Sequence, residues 1–600
     1  MYKSFARIIK DKYVKPKIQI STQSLREHLP KVGGILILFV FLALAYFVPA
    51  VFEGRELFQQ DVAGASGNAS DVHRFAEATG EVSYWTNSLF GGMPMYQISP
   101  SYPSLYVISK VQSILTLQWP FCLLPGYSWL LFAMLGGFYL FLRALRLGRL
   151  PSVLGAVMWT FSSYFIILVV AGHIWKLMTL AFIPPTIAGI IYTYRGRYLL
   201  GGALTALFAS LQILSNHVQM SYYFAFLILF LILGYLWEAV KGHQLRRFVF
   251  ASLVTLGSGL IALGINSSNL YHTYEYGSET IRGGSELTTS PDDKMAGKAE
   301  ATATGLDKDY ITAWSYGKGE TLTLLVPNVY GGATGALGEN LSAMERVPAD
   351  YRQIIGGLNH YWGDQPFTAG PVYVGAFVLL LFILGIFIVQ GPLKWALLGG
   401  TLFSVFLAWG HNMMWLTDLF IDYVPLYNKF RTVSSILVVA EFTIPALAVL
   451  ALIQFVREPR AVLQNKVALW VSLGLTLDGT RLMHLVKISG EHITLGQAVQ
   501  VVFGNYFLAL LTPGATGGAV AQLMFLRHAG VPAGKATVLV IVRTLVSILF
   551  LICCMPFIFL HDAGILPGVD NHTLMLISVI AFVVIALIAL AFRANAFDYI

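Results

Sequence analysis

"GGILILFVFLALAYFVPAVF", residues 33–52, contains no charged side chain. A helix of that length rises about 1.5 Å per residue and reaches roughly 30 Å, the depth of a bilayer's hydrocarbon core. Directly beyond it, residues 59–71 read "QQDVAGASGNASD". If the run crosses a membrane, Asp61 lies close to the membrane surface, either as a solvated loop charge or as a catalytic base.

Working outward, comparable runs recur near 121–142, 152–172, 176–194, 198–215, 220–240, 247–266, 371–390, 394–410, 433–456, 467–486, 494–512, 535–560 and 573–594. They are continuous rather than alternating, so they predict helices and exclude barrel strands. Side chains are 56% hydrophobic and 12% charged, and mean hydropathy is +0.67, which excludes an ordinary soluble domain. The predicted fold class is an all-α polytopic membrane protein with about 13–14 transmembrane helices and an extracytoplasmic loop domain.

The first run follows a basic segment and has no small-residue cleavage site after it, so it reads as a retained helix rather than a signal peptide. Cys122, Cys553 and Cys554 lie in apolar runs and read as small core residues, too few for a disulfide framework. The net charge of +8 reflects topology rather than nucleic-acid binding.

Lys3, Arg7, Lys10, Lys12, Lys15, Lys17, Arg26 and Lys31 predict a cytoplasmic N-terminus by the positive-inside rule. Counting crossings from there, the basic turns 143–149, 195–197 and 241–247 also fall inside. The opposite, extracytoplasmic face receives the loop 53–120, the turns near 171–175 and 215–219, and a long insert, 267–370. Candidate site residues therefore converge from separate segments: Asp61, His173 and Lys176 in "AGHIWK", His217 and Gln219 in "SNHVQMSYY", Glu320, and Asp364. After 466 the basic residues Arg457, Arg460, Lys466, Arg481 and Lys487 flank the 467–486 run on both sides and set no orientation.

Ionisable groups held at membrane depth are costly and mark sites or pathways. A shielded carboxylate suits a general base, and Lys176 with the histidines suits a phosphate. The insert is rich in Gly, Tyr, Trp and Asn, a composition fitting a folded loop over a site. Its aromatics Tyr316, Tyr330, Tyr361 and Trp362 read either as platforms for sugar rings or as an interfacial belt. Residues 104–119 read as an amphipathic helix on the membrane surface. "GVPAGKAT", 530–537, lacks both the glycine spacing and the hydroxyl of a phosphate loop. Asp307 and Asp309 have the spacing of a metal pair, which also arises by chance. Metal use stays open, since Asp61, Asp71 and Asp364 are suitable ligand types for a divalent metal.

"DVAGASG", "WTNSLFGGMPMYQIS", "AGHIWK", "NHVQMSYYF", "YGKGETLTLLVPNVYGG", "YWGDQPFTAGPVYVGA" and "PLYNKFRTVSSILVVAEF" occur in that order within residues 1–456. In these stretches the chain resembles the bacterial YfhO family of membrane proteins. That family resembles the GT-C glycosyltransferases. The resemblance implies a transferase of the bacterial cytoplasmic (inner) membrane that takes sugar from a polyprenyl-phosphate donor. Its extracytoplasmic acceptor would be an envelope glycopolymer or a lipid. It also implies Asp61 as catalytic base; Lys176, His173 or Arg431 would then be the groups to meet the leaving phosphate, a role assigned from their charge and not from a motif.

A second resemblance begins near residue 466. "GNYFLALLTPGATGGAVAQLMFLRHAGVPAGKATVLVIVRTL", 504–545, is similar to the flippase-like transmembrane domain of the lysylphosphatidylglycerol synthase family. Residues 466–600 would then be a partial flippase-like segment. Asn505 and the helix-interrupting Pro513, Gly514, Gly517 and Gly518 are its candidate lipid site. The alternative to sugar transfer is accordingly a lipid flippase or transporter, and a third reading is a scaffold for envelope proteins.

Overall fold

The computed structural model describes residues 22–95, 102–120, 122–283, 305–325, 327, 329–339, 344–345, 347–465, 501 and 516–542. The chain divides into two compact units, Met1–Ala468 and Leu469–Ile600.

In the first unit every predicted apolar run holds a helix. These are α1 (Thr22–Tyr46), α2 (Ser128–Ala144), α3 (Arg149–Thr160), α4 (Ser163–Ala171), α5 (Ile174–Tyr194), α6 (Tyr198–Leu214), α7 (Val218–Lys241), α8 (Leu245–Ile265), α9 (Ala376–Ile388), α10 (Pro392–Ala408) and α11 (Leu437–Arg457). The chain is an all-α polytopic membrane protein. Among the described residues four helices are long and apolar enough to span a bilayer alone: α5, α7, α8 and the stretch Val433–Arg457. Two bent pairs raise that to six. The runs 467–486, 494–512 and 573–594, and most of 535–560, lie outside the described residues.

Two predicted runs depart from a straight span. The 152–172 run breaks at Phe161–Ser162 into α3 and α4, bent by 47°. The 121–142 run becomes helical only at Ser128, because Pro120 and Pro125 deny the preceding segment its ladder of hydrogen bonds. Cys122 is therefore exposed in a turn, not a core residue as the run suggested.

Helices α5 and α11 form the middle of the bundle, with 89% and 83% of their apolar windows buried, against 17% for α8 at its edge. Lipid tails are as apolar as leucine, so helix association in a bilayer rests on close packing rather than on hydrophobic drive. Glycines provide it here. A Cβ on Gly137 would lie 2.3 Å from the Ala181 carbonyl of α5, and one on Gly201 2.4 Å from the Thr193 nitrogen. Aromatic rings fill the rest. Phe442 of α11 packs at 4.7 Å from Phe141, 5.3 Å from Phe138 and 5.6 Å from Phe224, and Trp159 stacks on Phe138 at 4.9 Å.

The bundle has two chemically distinct ends. Arg195 donates to the Ala144 carbonyl, so the basic turns after α2 and α5 meet at one end. The opposite end carries the 53–120 loop, the turns 172–173 and 215–217, and the insert. The loop contains two short helices, Gln60–Asn68 and Ser70–Thr79, and a two-stranded hairpin of β1 (Trp85–Thr86) and β2 (Met93–Pro94), antiparallel. The predicted surface helix appears as Tyr106–Leu115 and rests on α6, where Gln112 donates to Ser215 at 3.3 Å.

The described part of the second unit holds the helix Thr516–His528 and a further helix, Ala533–Val542. Val501, Leu526, Val531, Ala536 and Leu539 pack together. Ala536 is buried within the second helix, so "GVPAGKAT" builds no phosphate loop. Gly517 and Gly518 lie inside the first helix, whereas Asn505, Pro513 and Gly514 lie outside the described residues.

Candidate functional site

Asp61 sits in the first turn of Gln60–Asn68, and its Oδ2 lies 3.0 Å from His173 Nε2. Both side chains are partly exposed, so this pair contributes orientation more than stability. The neighbouring Gln59 is buried and fixes the approach: its amide donates to the Val169 carbonyl and accepts from the Tyr127 hydroxyl. Gly172 allows the contact, because a Cβ there would press to 3.2 Å on Gln59 and Val62.

His173 stands at the N-terminal end of α5, and Lys176 follows in the first turn. Lys176 is buried. Its ammonium donates to Ser435 Oγ at 3.1 Å and sits 5.4 Å above the ring of Tyr164. Among the described residues it makes no ion pair. His217, at the N-terminal end of α7, is half-buried, and its buried Nδ1 has no hydrogen-bond partner among the described residues. Burial first, then the charge of Lys176 and the neighbouring His173, pushes the His217 imidazolium down to about 3. Burial and Lys176 likewise hold His173 below its ordinary value despite Asp61. Both imidazoles are thus neutral at neutral pH, leaving Arg431 as the exposed cation and Lys176 as a buried amine whose charged form an arriving anion would stabilise.

Arg431 is exposed, with its Nη1 donating to the Tyr310 hydroxyl at 2.5 Å and its guanidinium 5.5 Å from that ring. Its carbonyl accepts from Gln219 Nε2 at 2.7 Å, and the same amide reaches Tyr223 at 2.8 Å. Asp61, His173, Lys176, His217 and Gln219, from turns that the alternation of crossings assigns to one face, lie at one end of the bundle, and Arg431 meets Gln219 there.

Glu320 and Asp364 form a second group. Glu320 is buried and accepts from Gly317 N at 3.1 Å, Tyr361 OH at 2.8 Å and Gln365 Nε2 at 3.1 Å. Three donors on one buried carboxylate make it the tie between 317 and 365 rather than an open ligand. Asp364 is exposed and accepts from Asn412 at 2.9 Å. The group connects to the first through Ser434, which donates to Gln365 at 3.3 Å beside the Ser435 that holds Lys176. Tyr316 and Tyr361 are buried and hydrogen-bonded, so they offer no platform for a sugar, while Trp362 remains exposed beside Tyr330.

The acids proposed as metal ligands are otherwise engaged. Asp307 caps the helix Lys308–Thr312 by accepting from Asp309 N and Tyr310 N. No group of three metal-ligating side chains occurs among the described residues. Asp71 accepts from Asn87 N at 2.9 Å, Thr86 Oγ1 at 2.9 Å and Val72 N at 2.8 Å, clamping the hairpin to the helix beneath.

The backbone donor of Asn87, ahead of the Thr86 hydroxyl and Val72 donors, holds Asp71 down to about 2. A carboxylate depressed on folding contributes stability above its unfolded value near 3.8, and that contribution is lost as pH falls through about 2. Hydrogen exchange of amides 84–95 is expected to accelerate over that window. Asp71→Asn is expected to exchange fast at neutral pH already and to lose the pH step.

Sequence reasoning missed four residues of this region: Gln59, Tyr164, Ser435 and Glu441. Glu441 had a legible signal, a lone acid inside the 433–456 apolar run. The other three are ordinary polar residues that only their contacts distinguish.

Residues 433–598, that is 166 of the chain's 600, match the family model described as the lysylphosphatidylglycerol synthase TM region. No curated protein matches the chain. No solved structure matches it either. The C-terminal part is thus similar to a membrane-protein family region. The match begins at Val433, so it takes in Ser434, Ser435 and the whole of α11.

Proposed function

We propose that this protein binds an anionic, phosphate-bearing lipid headgroup at the end of the bundle carrying Lys176 and Arg431 and moves that lipid across the bilayer. The observation that carries the reading is the bond from the buried Lys176 to Ser435. A buried amine without a carboxylate partner among the described residues is costly to charge alone, and an incoming anion supplies the missing partner. Its hydrogen-bond acceptor lies in the segment similar to a lipid-handling family. Gln219 and Tyr310 hold Arg431 at the rim, where a headgroup would arrive first. The broken span at Ser162 and the basic turns at the far end fit a protein of the bacterial cytoplasmic membrane. In this reading the N-terminus is inside and the site faces out.

The test is reconstitution of the full chain in liposomes carrying fluorescent phosphatidylglycerol or fluorescent phosphatidylcholine, with a membrane-impermeant quencher added outside. The expected result is faster loss of inner-leaflet phosphatidylglycerol fluorescence than in empty liposomes, with little effect on phosphatidylcholine. Equal rates with and without protein would end the translocation reading.

The contact between Asp61 and His173 favours a second reading, sugar transfer from a polyprenyl-phosphate donor. Asp61 would take the proton of an acceptor hydroxyl whose oxygen bonds to the anomeric carbon. The bond from that carbon to the phosphate oxygen breaks, and polyprenyl phosphate leaves toward Lys176 and Arg431. The acceptor would be an envelope glycopolymer or a lipid. Asp61→Asn keeps the side chain's size and removes its basicity. Transfer of labelled sugar by the wild type and its loss in that variant would establish this chemistry; no transfer by either would dismiss it.

A further inference from the structure

Glu441 lies in the second turn of α11, inside the apolar stretch Val433–Arg457. It is fully buried on α11, and Ser162 donates to its Oε2. Its Oε1 has no hydrogen-bond partner among the described residues, and no basic group forms an ion pair with it there. The titratable groups facing it are Tyr164, from α4, and Tyr316, from the insert. Neither carries a positive charge. An ionised carboxylate in such a place is not compensated, and a buried group in that position holds a proton instead.

Ser162 stands at the break between α3 and α4, where the span bends by 47°. The freed backbone is partly re-satisfied from the segment before α9: Ser163 N donates to the Tyr373 carbonyl, and Ser163 Oγ to the Pro371 carbonyl at 2.7 Å. On the other side of the break two more buried polar atoms, Trp159 Nε1 and Thr160 Oγ1, have no partner among the described residues. Trp159 packs at 6.4 Å from Phe442, the neighbour of Glu441. Polar groups that are expensive to leave unpaired thus gather at one interrupted helix, the arrangement that membrane transporters use for coupling ions.

Glu441 is also tied to the lipid site. Glu441 follows Ser435 by six positions, roughly 9 Å at the rise of a helix. Tyr164 bridges the interval, since its ring lies beneath the Lys176 side chain that donates to Ser435, and it faces Glu441. A headgroup arriving at Lys176 changes the charge that this tyrosine and the carboxyl experience.

We infer that Glu441 is a membrane-embedded proton-binding site, opened at the Ser162 break, that couples lipid movement to proton movement. The coupling rests on the translocation reading above; the proton site does not. In the resting arrangement Oε1 carries the proton while Ser162 serves Oε2. On opening, the carboxyl gives the proton to water reaching the break from one side and becomes a carboxylate that keeps the Ser162 bond. It is reprotonated from the other side after the lipid has moved.

Two measurements on the full chain in liposomes test this. Infrared difference spectra between acid and alkaline buffer are expected to show the carbonyl band of a buried protonated carboxyl at neutral pH, absent in Glu441→Gln. Ser162→Ala removes a donor that favours the ionised form, so the band should persist to higher pH. Identical spectra for wild type and Glu441→Gln would overturn the proton site, as would a band that Ser162→Ala leaves unmoved. In the second measurement, an imposed pH gradient is expected to speed translocation of fluorescent phosphatidylglycerol by wild type. Glu441→Gln should abolish that response, whereas a sodium gradient has no effect on either. A gradient response retained in Glu441→Gln refutes the coupling. Absence of any translocation by wild type removes the transport reading and the coupling together, while the infrared band still decides the proton site.

Discussion

Replacing Lys176 by Met is expected to weaken binding of an anionic lipid headgroup by about 100-fold. A hydrogen bond to a charged group contributes about 1.5–3 kcal/mol, and about 1.4 kcal/mol corresponds to tenfold in affinity. The upper end applies because the ammonium is buried and the two nearby imidazoles, both shifted toward the neutral form, cannot replace its charge. Met preserves the length and apolar stem, and exchanging a buried charge for an apolar isostere is often neutral for folding. Binding of short-chain phosphatidylglycerol to the purified protein is therefore expected to fall while its thermal unfolding temperature holds. Binding unchanged from wild type would show that Lys176 serves only to pin Ser435 and Tyr164. Arg431→Gln, at the exposed rim, should cost less affinity and more association rate, and should weaken the dependence of association on salt.

The largest expected effect on the fold comes from Gly189→Leu. Helices α5 and α6 meet through Gly189 and Gly201, and a Cβ on Gly189 would lie 2.6 Å from the Thr205 nitrogen and 3.0 Å from the Gly201 carbonyl. Two of the atoms in the way, the Thr205 nitrogen and the Gly201 carbonyl, are backbone and cannot turn aside, so the two helices must separate. Overpacking costs about 1–3 kcal/mol and occasionally more, and this site belongs at the top of that range. The loss spreads, because α5 also carries Lys176 and packs on α2. Gly259→Leu is the matched control: nothing lies within 4 Å of its Cβ position, and it should change stability by no more than about 0.5 kcal/mol. Unfolding in detergent, followed by tryptophan fluorescence, distinguishes the two. Equal stability of both variants would show that close approach of α5 and α6 does not limit the fold.

Much of this was legible along the chain. Continuous apolar runs specify helices, and a chain that crosses and recrosses must place alternate turns at alternate ends. Arg431 joins the site only through its contact with Gln219, whereas the grouping of Asp61, His173, Lys176, His217 and Gln219 follows from that alternation alone. So does the gathering of basic turns at the opposite end, where Arg195 reaches Ala144. These are local or counting properties, and hydrophobic burial enforces them without reference to which helix touches which.

What the chain could not reveal by itself is pairing. Ser435 reaches Lys176 across 259 residues, and Ser162 reaches Glu441 across 279. No periodicity marks either bond, because a serine in an apolar run reads as filler until its neighbour is known. The same holds for Glu320, whose pattern suggested an open ligand and whose burial under Tyr361 and Gln365 makes it a structural tie. It holds also for the 152–172 run, apolar throughout yet broken at Ser162, where Tyr373 and Pro371 offer the acceptors that make the break affordable. Hydropathy is set residue by residue and so survives in the sequence. Which polar atom meets which is set by the close packing of helices far apart in the chain, and only the folded bundle decides it.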